Sequence, residues 1–531
     1  MRNYSIQRNL IYLVIPLLLF IIQHNLNAQN RSDGCTTITA GKSATTDGSV
    51  LTSHTFDGHR EKTWMEMVPA QTYPEGSTIT MHRVENTDSL AMPAELDIPI
   101  GEIPQIAETY AYMKPRMACM NEYQLGIGES TYGGREELRN HDGLINLYRL
   151  TELIVQRCKT AREAIEFAGE ITQKYGWNDR GECLTISDPN EVWHFEIIGT
   201  GKFGGGSVWA AQRVPDDHVA VNANASRIME IDLDDEDHFM ASHNVFSFAI
   251  EHGFWNPNDG EFRFCYAYDP DGRKSMASRR REWRVLSLLA PSLDLDPNGE
   301  YFPFSVKPEV PVSVETLIPI FQDYYENTPF NPVKNITWQN NDGEYEISPL
   351  ANPFMPYDMN PLFKLNGGWN ELGERTIARW YTIYATIIQC RDWLPDEIGG
   401  VVWFAWDNIA TSVYVPLYCS ITDVHQSYKT PGRVNGFTRG SAWWAFNRLG
   451  TLTAQRWGEA RYDVRAGFDP IQKEFFNSQT EVEKKALELY KDDPVKAKQF
   501  LTDYGIKCGE KVVNKAWELG DQFWTKYDEK F

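Results

Sequence analysis

The sequence lacks the short motifs that mark the commonest hydrolytic and metal sites. It contains no His-Glu-x-x-His pair and no Gly-x-Ser-x-Gly elbow, so a zinc protease and an α/β-hydrolase are both disfavoured. Its eight cysteines include no Cys-x-x-Cys pair, which argues against a zinc site and against a dense disulfide scaffold. The chemistry of this chain therefore has to come from residues outside these motifs.

Basic residues are also fewer than acidic ones in this chain. The 531 residues include 51 Lys and Arg against 73 Asp and Glu, which gives a formal net charge of -22. Such a surface repels phosphate backbones, so we expect no nucleic-acid partner. The hydrophobic content of 42% and the aromatic content of 13% are ample for a packed core.

The one long apolar run that we identify lies at the N-terminus. It covers residues 10–22, follows the basic residues Arg2 and Arg8, and leads into a polar stretch that ends at Ala28. This arrangement is typical of a signal peptide, and the run is short for a membrane span. We therefore predict a signal peptide over 1–28, a short propeptide over 29–34, a periplasmic or secreted protein and no stable membrane partner.

Alternating strand and helix signals predict an α+β fold. Strands are expected over 35–40, 49–55, 183–187, 192–198, 208–213, 218–222, 376–389 and 400–406. Helices are expected over 143–168 and 276–289, with two or three more in the tail over 480–527. Residues 199–204 fit Gly-x-Gly-x-x-Gly, but a strand and not a helix follows them. We therefore predict a turn there and no nucleotide site.

The most informative segment surrounds Cys35. It reads DGCTTI over 33–38, AGKSATTDGS over 40–49 and HTFDG over 54–58. A turn at 46–48 would bring Asp57, at the end of the second strand, back beside Cys35. If Cys35 is the first residue of the mature chain, its α-amine, with a pKa of about 7.7–8.0, can take the thiol proton. On this pattern alone, a buried structural cysteine is an equally good interpretation.

Further motifs occur in an order that resembles one known family. They are NEY at 121–123, GIGES at 126–130, RCKTAREAIE at 157–166, SDPNEVW at 187–193, RVPDD at 213–217, NAN at 222–224, REWR at 281–284, QCRDWLP at 389–395 and GGVVW at 399–403. Together with the Cys35 segment they resemble the dipeptidase family of cysteine-type N-terminal-nucleophile hydrolases. This family is related to secernins and distantly to bile-salt hydrolases and penicillin V acylases. The likeness spans about residues 35–460.

The resemblance implies a fold and a division of the chain. The fold is the four-layer αββα sandwich of N-terminal-nucleophile hydrolases, carried by residues 35–460. Residues 461–531 would be an added C-terminal helical extension. The family chemistry needs no metal or organic cofactor.

The resemblance also implies roles for individual residues. Cys35 would be the nucleophile and Asp57 would hold its α-amine. Asn121 would donate to the developing oxyanion, as a side-chain amide can. Asn222 or Asn224 would orient the substrate or add a donor, and the sequence does not separate them.

A further role and one departure concern charged residues. Arg281 would stabilise the thiolate, although Arg279 and Arg280 beside it blur that assignment. The broader superfamily often has Arg three residues before the catalytic Asp, and here that position is His54. The charges around the thiol should therefore be arranged differently.

Three functions follow from these observations. The first is an exported cysteine dipeptidase that hydrolyses small peptides through a thioester at Cys35. Its residues 29–34 would first be removed, either autocatalytically or by another protease. The second is an amide acylase acting on N-acylated small molecules, and the third is a non-catalytic secreted protein that binds peptides or glycans. The joint presence of Cys35, Asp57 and Asn121 argues against the third. The sequence leaves open whether the chain forms a homo-oligomer.

Overall fold

A computed structural model of the chain describes residues 34–58, 61–86, 95–354 and 374–528. The predicted signal peptide over 1–28 and all of the predicted propeptide except Gly34 lie outside the described residues. Within these ranges no helix is long and apolar enough to cross a membrane.

The strands are numbered in chain order. They are β1 (Thr37–Ala40), β2 (Val50–Asp57), β3 (Glu66–Val68), β4 (Gln71–Thr72), β5 (Thr78–Asn86), β6 (Glu95–Pro104), β7 (Glu108–Thr109), β8 (Tyr112–Lys114), β9 (Met120–Asn121), β10 (Gly126–Tyr132), β11 (Gly181–Ser187), β12 (Val192–Gly199), β13 (Ser207–Arg213), β14 (Val219–Asn222), β15 (Phe239–Ala241), β16 (Ser305–Val306), β17 (Thr337–Gln339), β18 (Tyr345–Ile347), β19 (Thr382–Cys390), β20 (Val401–Trp406) and β21 (Val415–Tyr418).

The α-helices of the described residues are numbered in the same way. They are α1 (Leu147–Arg157), α2 (Ala161–Tyr175), α3 (Val245–Glu251), α4 (Phe264–Tyr268), α5 (Met276–Leu289), α6 (Val314–Phe321), α7 (Asp396–Gly399), α8 (Gln426–Lys429), α9 (Ala442–Gln455), α10 (Trp457–Asp492) and α11 (Pro494–Lys526).

Two antiparallel sheets form the centre of the described structure. Sheet A has the strand order β16-β14-β1-β2-β19-β20-β21, and sheet B has the order β15-β13-β12-β11-β10-β9-β8-β3. Strands β1, β2, β19 and β20 are buried along their whole length, and Val, Ile and Thr are frequent in them. β-Branched residues favour such strands because they pack well on a pleated surface.

The two sheets lie against each other where the predicted nucleophile is found. The Thr52 and Thr185 hydroxyl groups share a hydrogen bond of 2.7 Å between β2 and β11. At Gly128 in β10, a Cβ atom would lie 2.7 Å from the backbone oxygen of Ser53. Glycine at this position therefore allows β10 to approach β2 closely. This approach brings Glu129, the next residue of β10, to Cys35, which lies just before β1.

Helices cover the other faces of the sheets. The apolar sides of α1 and α2 pack on sheet B, in a core that includes Leu150, Ile165 and Phe195. Helices α9, α10 and α11 share a core with sheet A, which includes Trp403 and Val512. The predicted boundary between residues 460 and 461 falls inside α10, so that helix runs across it.

Most of the predicted elements are confirmed. The predicted α+β mixture, the hairpin of β11 and β12, the helix over 276–289 and a helical C-terminal segment are all present. Residues 201–203 form a single 3-10 turn before β13, as expected for a turn. The helical region predicted over 143–168 contains the two helices α1 and α2, because Thr160 and Glu163 form a capping box that starts α2.

Candidate active site

Cys35 lies at the bottom of a cavity of about 380 Å³. Its side chain is 4% exposed, and its Sγ atom donates a hydrogen bond of 2.7 Å to Oε1 of Glu129 in β10. The cavity is also lined by Phe56 and Asp57 at the end of β2 and by Asp179 and Glu182 at the start of β11. With Glu61 and Glu129, five carboxyl groups thus line the same cavity as the thiol.

Arg281 holds the backbone around Cys35. Its Nη1 atom donates to the Cys35 carbonyl oxygen at 2.8 Å and to Thr36 Oγ1 at 2.9 Å. Its Nη2 atom donates to the Ala223 carbonyl oxygen at 3.0 Å and to Asn224 Oδ1 at 2.8 Å. Helix α5 carries this side chain into the interior, where it is 1% exposed.

The hydrogen bonds of Arg281 go to the Cys35 carbonyl group and to its neighbours. Its predicted role in stabilising the Cys35 thiolate stays a prediction. Burial and the nearby Arg375 lower the pKa of Arg281 to about 9. The side chain is therefore a backbone anchor that places a positive charge close to the nucleophile.

Asp57 is held by three side chains. Arg375 Nη2 donates to Oδ2 in a buried ion pair, and Thr382 Oγ1 donates to Oδ1 at 2.6 Å. Thr55, two residues earlier on the same face of β2, donates from Oγ1 to Oδ2 at 3.3 Å. Asp57 thus lies beside Cys35 as predicted, fixed and compensated by a cation.

Arg375 is a site residue that the sequence did not indicate. Besides Asp57, it contacts the main chain just before the nucleophile, because its Nη1 atom donates to the Gly34 carbonyl oxygen. No motif surrounds Arg375, and it meets Asp57 across 318 positions of sequence. Only the folded chain brings them together.

His54 stands where the broader superfamily often has an arginine, three residues before Asp57. It is fully buried, its Nδ1 atom shares a hydrogen bond of 3.1 Å with Thr386, and burial lowers its pKa to about 3. The imidazole is therefore neutral at physiological pH. The positive charge beside Asp57 comes instead from Arg375.

The two asparagines of the 222–224 motif lie next to the site and do not line the cavity. Asn222, in β14, pairs in register with Thr37 and donates from Nδ2 to the Ala225 carbonyl oxygen at 3.0 Å. Asn224 has a left-handed backbone with φ of 64°, a conformation that asparagine tolerates. Its Nδ2 atom donates to the Thr131 carbonyl oxygen at 2.6 Å.

The structure does not bring Asn121 to the nucleophile. Both protons of its amide are used, in hydrogen bonds of 2.9 Å to the Val155 carbonyl oxygen and 2.8 Å to that of Cys158. Its Oδ1 atom accepts from the backbone N–H groups of Tyr123 and Leu125. Asn121 joins a turn to the end of α1, and these contacts do not support the predicted role as oxyanion donor.

The electrostatics of the floor favour protonated groups. Burial, together with Glu129 and Asp57, raises the pKa of the Cys35 thiol well above its usual value. Burial raises the pKa of Glu129 to about 7, although the hydrogen bond from Cys35 opposes the rise. In a chain in which Gly34 still precedes Cys35, the thiol is therefore protonated and Glu129 is poised to exchange a proton near neutral pH.

Glu129 and Glu182 were also missed as site residues. Glu129 lies inside the GIGES motif at 126–130, so a signal for it was present, but no role was assigned to it.

Among the described residues, no group of three or more His, Cys, Asp or Glu side chains is arranged to hold a metal ion.

Comparison with known proteins places the chain in a family. The sequence profile of Peptidase family C69 matches residues 34–468. A "Probable dipeptidase" of Latilactobacillus sakei is 24% identical over 439 residues, covering 80% of this chain and 82% of that protein. A "Probable dipeptidase" of Salmonella dublin is 26% identical over 394 residues, covering 72% of this chain and 80% of that protein.

"Dipeptidase A" of Lactobacillus helveticus is 22% identical over 441 residues, with 81% of this chain and 83% of that protein covered. The match of the profile begins at Gly34, one residue before the predicted nucleophile, and extends through both sheets into α10. It confirms the resemblance read from the ordered motifs. This chain belongs to peptidase family C69.

Proposed function

We propose that this chain is an exported cysteine dipeptidase whose nucleophile is Cys35 at a processed N-terminus. The observation that carries the proposal is the position of the Cys35 thiol at the floor of the cavity, with Asp57, Glu129, Arg281 and Arg375 held around it. The dipeptidase names of the relatives support the same substrate class. Export rests on the signal-peptide pattern of residues 1–28.

The proposal includes the four-layer αββα fold of N-terminal-nucleophile hydrolases. Two stacked antiparallel sheets, with α1 and α2 on sheet B and α9 to α11 on sheet A, support it. In this arrangement β1 begins directly after the nucleophile in the middle of sheet A. A new chain end at Cys35 would therefore be held firmly by the neighbouring strands.

The first reaction is removal of the residues before Cys35. Glu129 accepts the thiol proton, and Sγ attacks the Gly34 carbonyl carbon, whose oxygen is held by Arg375. The Gly34–Cys35 C–N bond then breaks, a proton passes to the departing nitrogen, and a thioester joins Gly34 to Sγ. Water hydrolyses this thioester and releases residues up to Gly34 with a free thiol and a free α-amine on Cys35.

The second reaction is turnover of a peptide. The neutral α-amine of Cys35, oriented by Asp57, takes the thiol proton, and Sγ attacks the scissile carbonyl carbon. The protonated amine then gives its proton to the leaving amino group, and water resolves the thioester. Once Gly34 has left, Arg375 Nη1 faces the space that the Gly34 oxygen occupied, and we assign to it the oxyanion contact that Asn121 does not provide.

The test measures mass and activity on the same exported sample. Intact-mass analysis should show a chain that starts at Cys35, found in the periplasmic or secreted fraction and active on dipeptides. Cys35→Ala should abolish turnover and, because processing is autocatalytic, should keep the residues before position 35. Fully active protein that retains Gly34 would rule out the terminal-amine mechanism. Activity confined to N-acylated small molecules would instead indicate an amide acylase.

A further inference from the structure

The cavity contains carboxylate oxygens that the proposed turnover does not use. Glu129 in β10 pairs across the sheet with Leu184, and Glu182 in β11 pairs with Thr131, so the two glutamates are diagonal neighbours on one face. Each is 1% exposed and lines the cavity. In the part of the chain that the structure describes, the Oε2 atom of each has no hydrogen-bond partner.

Two unsatisfied carboxylate oxygens at one place are unfavourable in a protein without its ligand. A buried acceptor with no partner is destabilising, and more so if it is charged. Burial and the charges of Glu129 and Asp179 raise the pKa of Glu182 well above its usual value. Arg180 lines the cavity and its charge opposes that rise, yet the two Oε2 atoms remain as acceptors for a cation that donates several hydrogen bonds.

The opposite charge is found towards the opening. Arg83 is exposed, Arg139 is half-buried, and both line the same cavity. The cavity is thus acidic at its floor, beside the thiol, and cationic at its rim. A molecule with a positive group at one end and a negative group at the other matches this polarity.

The distance from the thiol determines which positive group fits. In a peptide, the α-nitrogen of the first residue lies about 2.5 Å from the carbonyl carbon of the same residue. A nucleophile poised to attack that carbon lies about 3–3.5 Å from it. Glu129 Oε1 is 2.7 Å from Cys35 Sγ, so its carboxyl group can reach an ammonium group on the residue being acylated.

We propose that Glu129 and Glu182 bind the free α-ammonium group of the peptide substrate, so that the enzyme requires an unblocked N-terminus. The ammonium donates to the two unpartnered Oε2 atoms and thereby places the first peptide carbonyl over Cys35. The free carboxylate of a dipeptide then points towards the cationic rim. This inference rests on the proposed function and narrows its substrate class to peptides with a free N-terminus.

The test compares alanylalanine with N-acetyl-alanylalanine on the processed wild-type enzyme. Acetylation removes the charge and blocks the donors, so kcat/KM should fall by about a hundredfold or more. Equal rates on the two peptides would overturn the ammonium site and leave the dipeptidase assignment standing. If the enzyme cleaves neither peptide, the proposed function fails and this site fails with it.

A variant of Glu182 and a matched control distinguish the proposed ammonium site from the general effect of removing a buried charge. Glu182→Gln should raise KM for alanylalanine about tenfold or more with little change in kcat, and should leave the weak hydrolysis of the acetylated peptide unaltered. Glu196→Gln is the matched control, because Glu196 is equally buried in sheet B and does not line the cavity. Burial also raises the pKa of Glu196, in its case to about 7. Unchanged KM in Glu182→Gln would contradict the assignment.

Discussion

Replacing Gly34 with alanine should slow the removal of the residues before Cys35 without harming the enzyme that results. A Cβ atom at position 34 would fall onto the side-chain amide of Asn224. Either Asn224 must move, or residue 34 must shift and take its carbonyl oxygen away from Arg375. Both changes disturb the geometry in which Cys35 attacks.

The size of the effect follows from the hydrogen bonds of Asn224. If its side chain moves, it loses the 2.6 Å bond to the Thr131 carbonyl oxygen and the 2.8 Å bond from Arg281. A neutral hydrogen bond contributes about 1 kcal/mol and one to a charged group about 1.5–3 kcal/mol. A loss of about 3 kcal/mol in the reactive arrangement slows processing by roughly a hundredfold.

The assay is a pulse-chase experiment on the full chain, with the processed fraction read by intact mass. Gly205→Ala is the control, because a Cβ atom there meets nothing within 4 Å. Since residue 34 is absent from the mature chain, kcat per processed molecule should equal that of the wild type. Processing of Gly34→Ala at the wild-type rate would show that the Gly34–Asn224 contact does not control cleavage.

Three further predictions follow. Asn121→Ala removes four hydrogen bonds and should lower the free energy of unfolding by about 2–4 kcal/mol, measured by denaturant titration, while kcat per folded molecule stays the same. Asp57→Asn leaves the buried Arg375 uncompensated and should cost about 3–5 kcal/mol in stability together with most of the activity, both measurable on one preparation. Because folding raises the pKa of Glu129 from 4.5 to about 7, its contribution to stability is present in acid and lost as the pH rises through about 7. The Tm of the unprocessed Cys35→Ala chain should therefore fall between about pH 5 and about pH 8, and an additional Glu129→Gln substitution should flatten that fall.

Local sequence was sufficient for most elements and for the neighbourhood of the nucleophile. Residues 41–49 join β1 to β2, and the antiparallel pairing of the two strands brings Asp57 back towards Cys35. The break between α1 and α2 also has a local signal, because Thr160 followed three residues later by Glu163 is typical of a helix start.

The remaining site residues could not be predicted from local sequence because they depend on long-range pairing. Glu129 reaches Cys35 across 94 positions, and Arg375 reaches Gly34 across 341. Glu129 lies in the GIGES motif, but that motif alone does not show what the side chain contacts, and no motif surrounds Arg375. Asn121 shows the opposite case, in which a motif was present and its side chain is used to fix a turn.

The charges around Cys35 suggest why one cavity can serve two reactions. Before cleavage, the floor contains the acids Asp57, Glu129 and Glu182 and a neutral thiol, and Arg375 is the cation in direct contact with Asp57. Burial, with the nearby charges of Asp57 and Asp179, raises the pKa of Glu129 to about 7, at which it can accept a proton, as the proposed first reaction needs. In the proposed mechanism, cleavage creates an amine at Cys35 and a peptide substrate brings a second one. Each proposed step adds a positive group to the acidic floor, so the surface that is unfavourable in the precursor would bind the substrate in the mature enzyme.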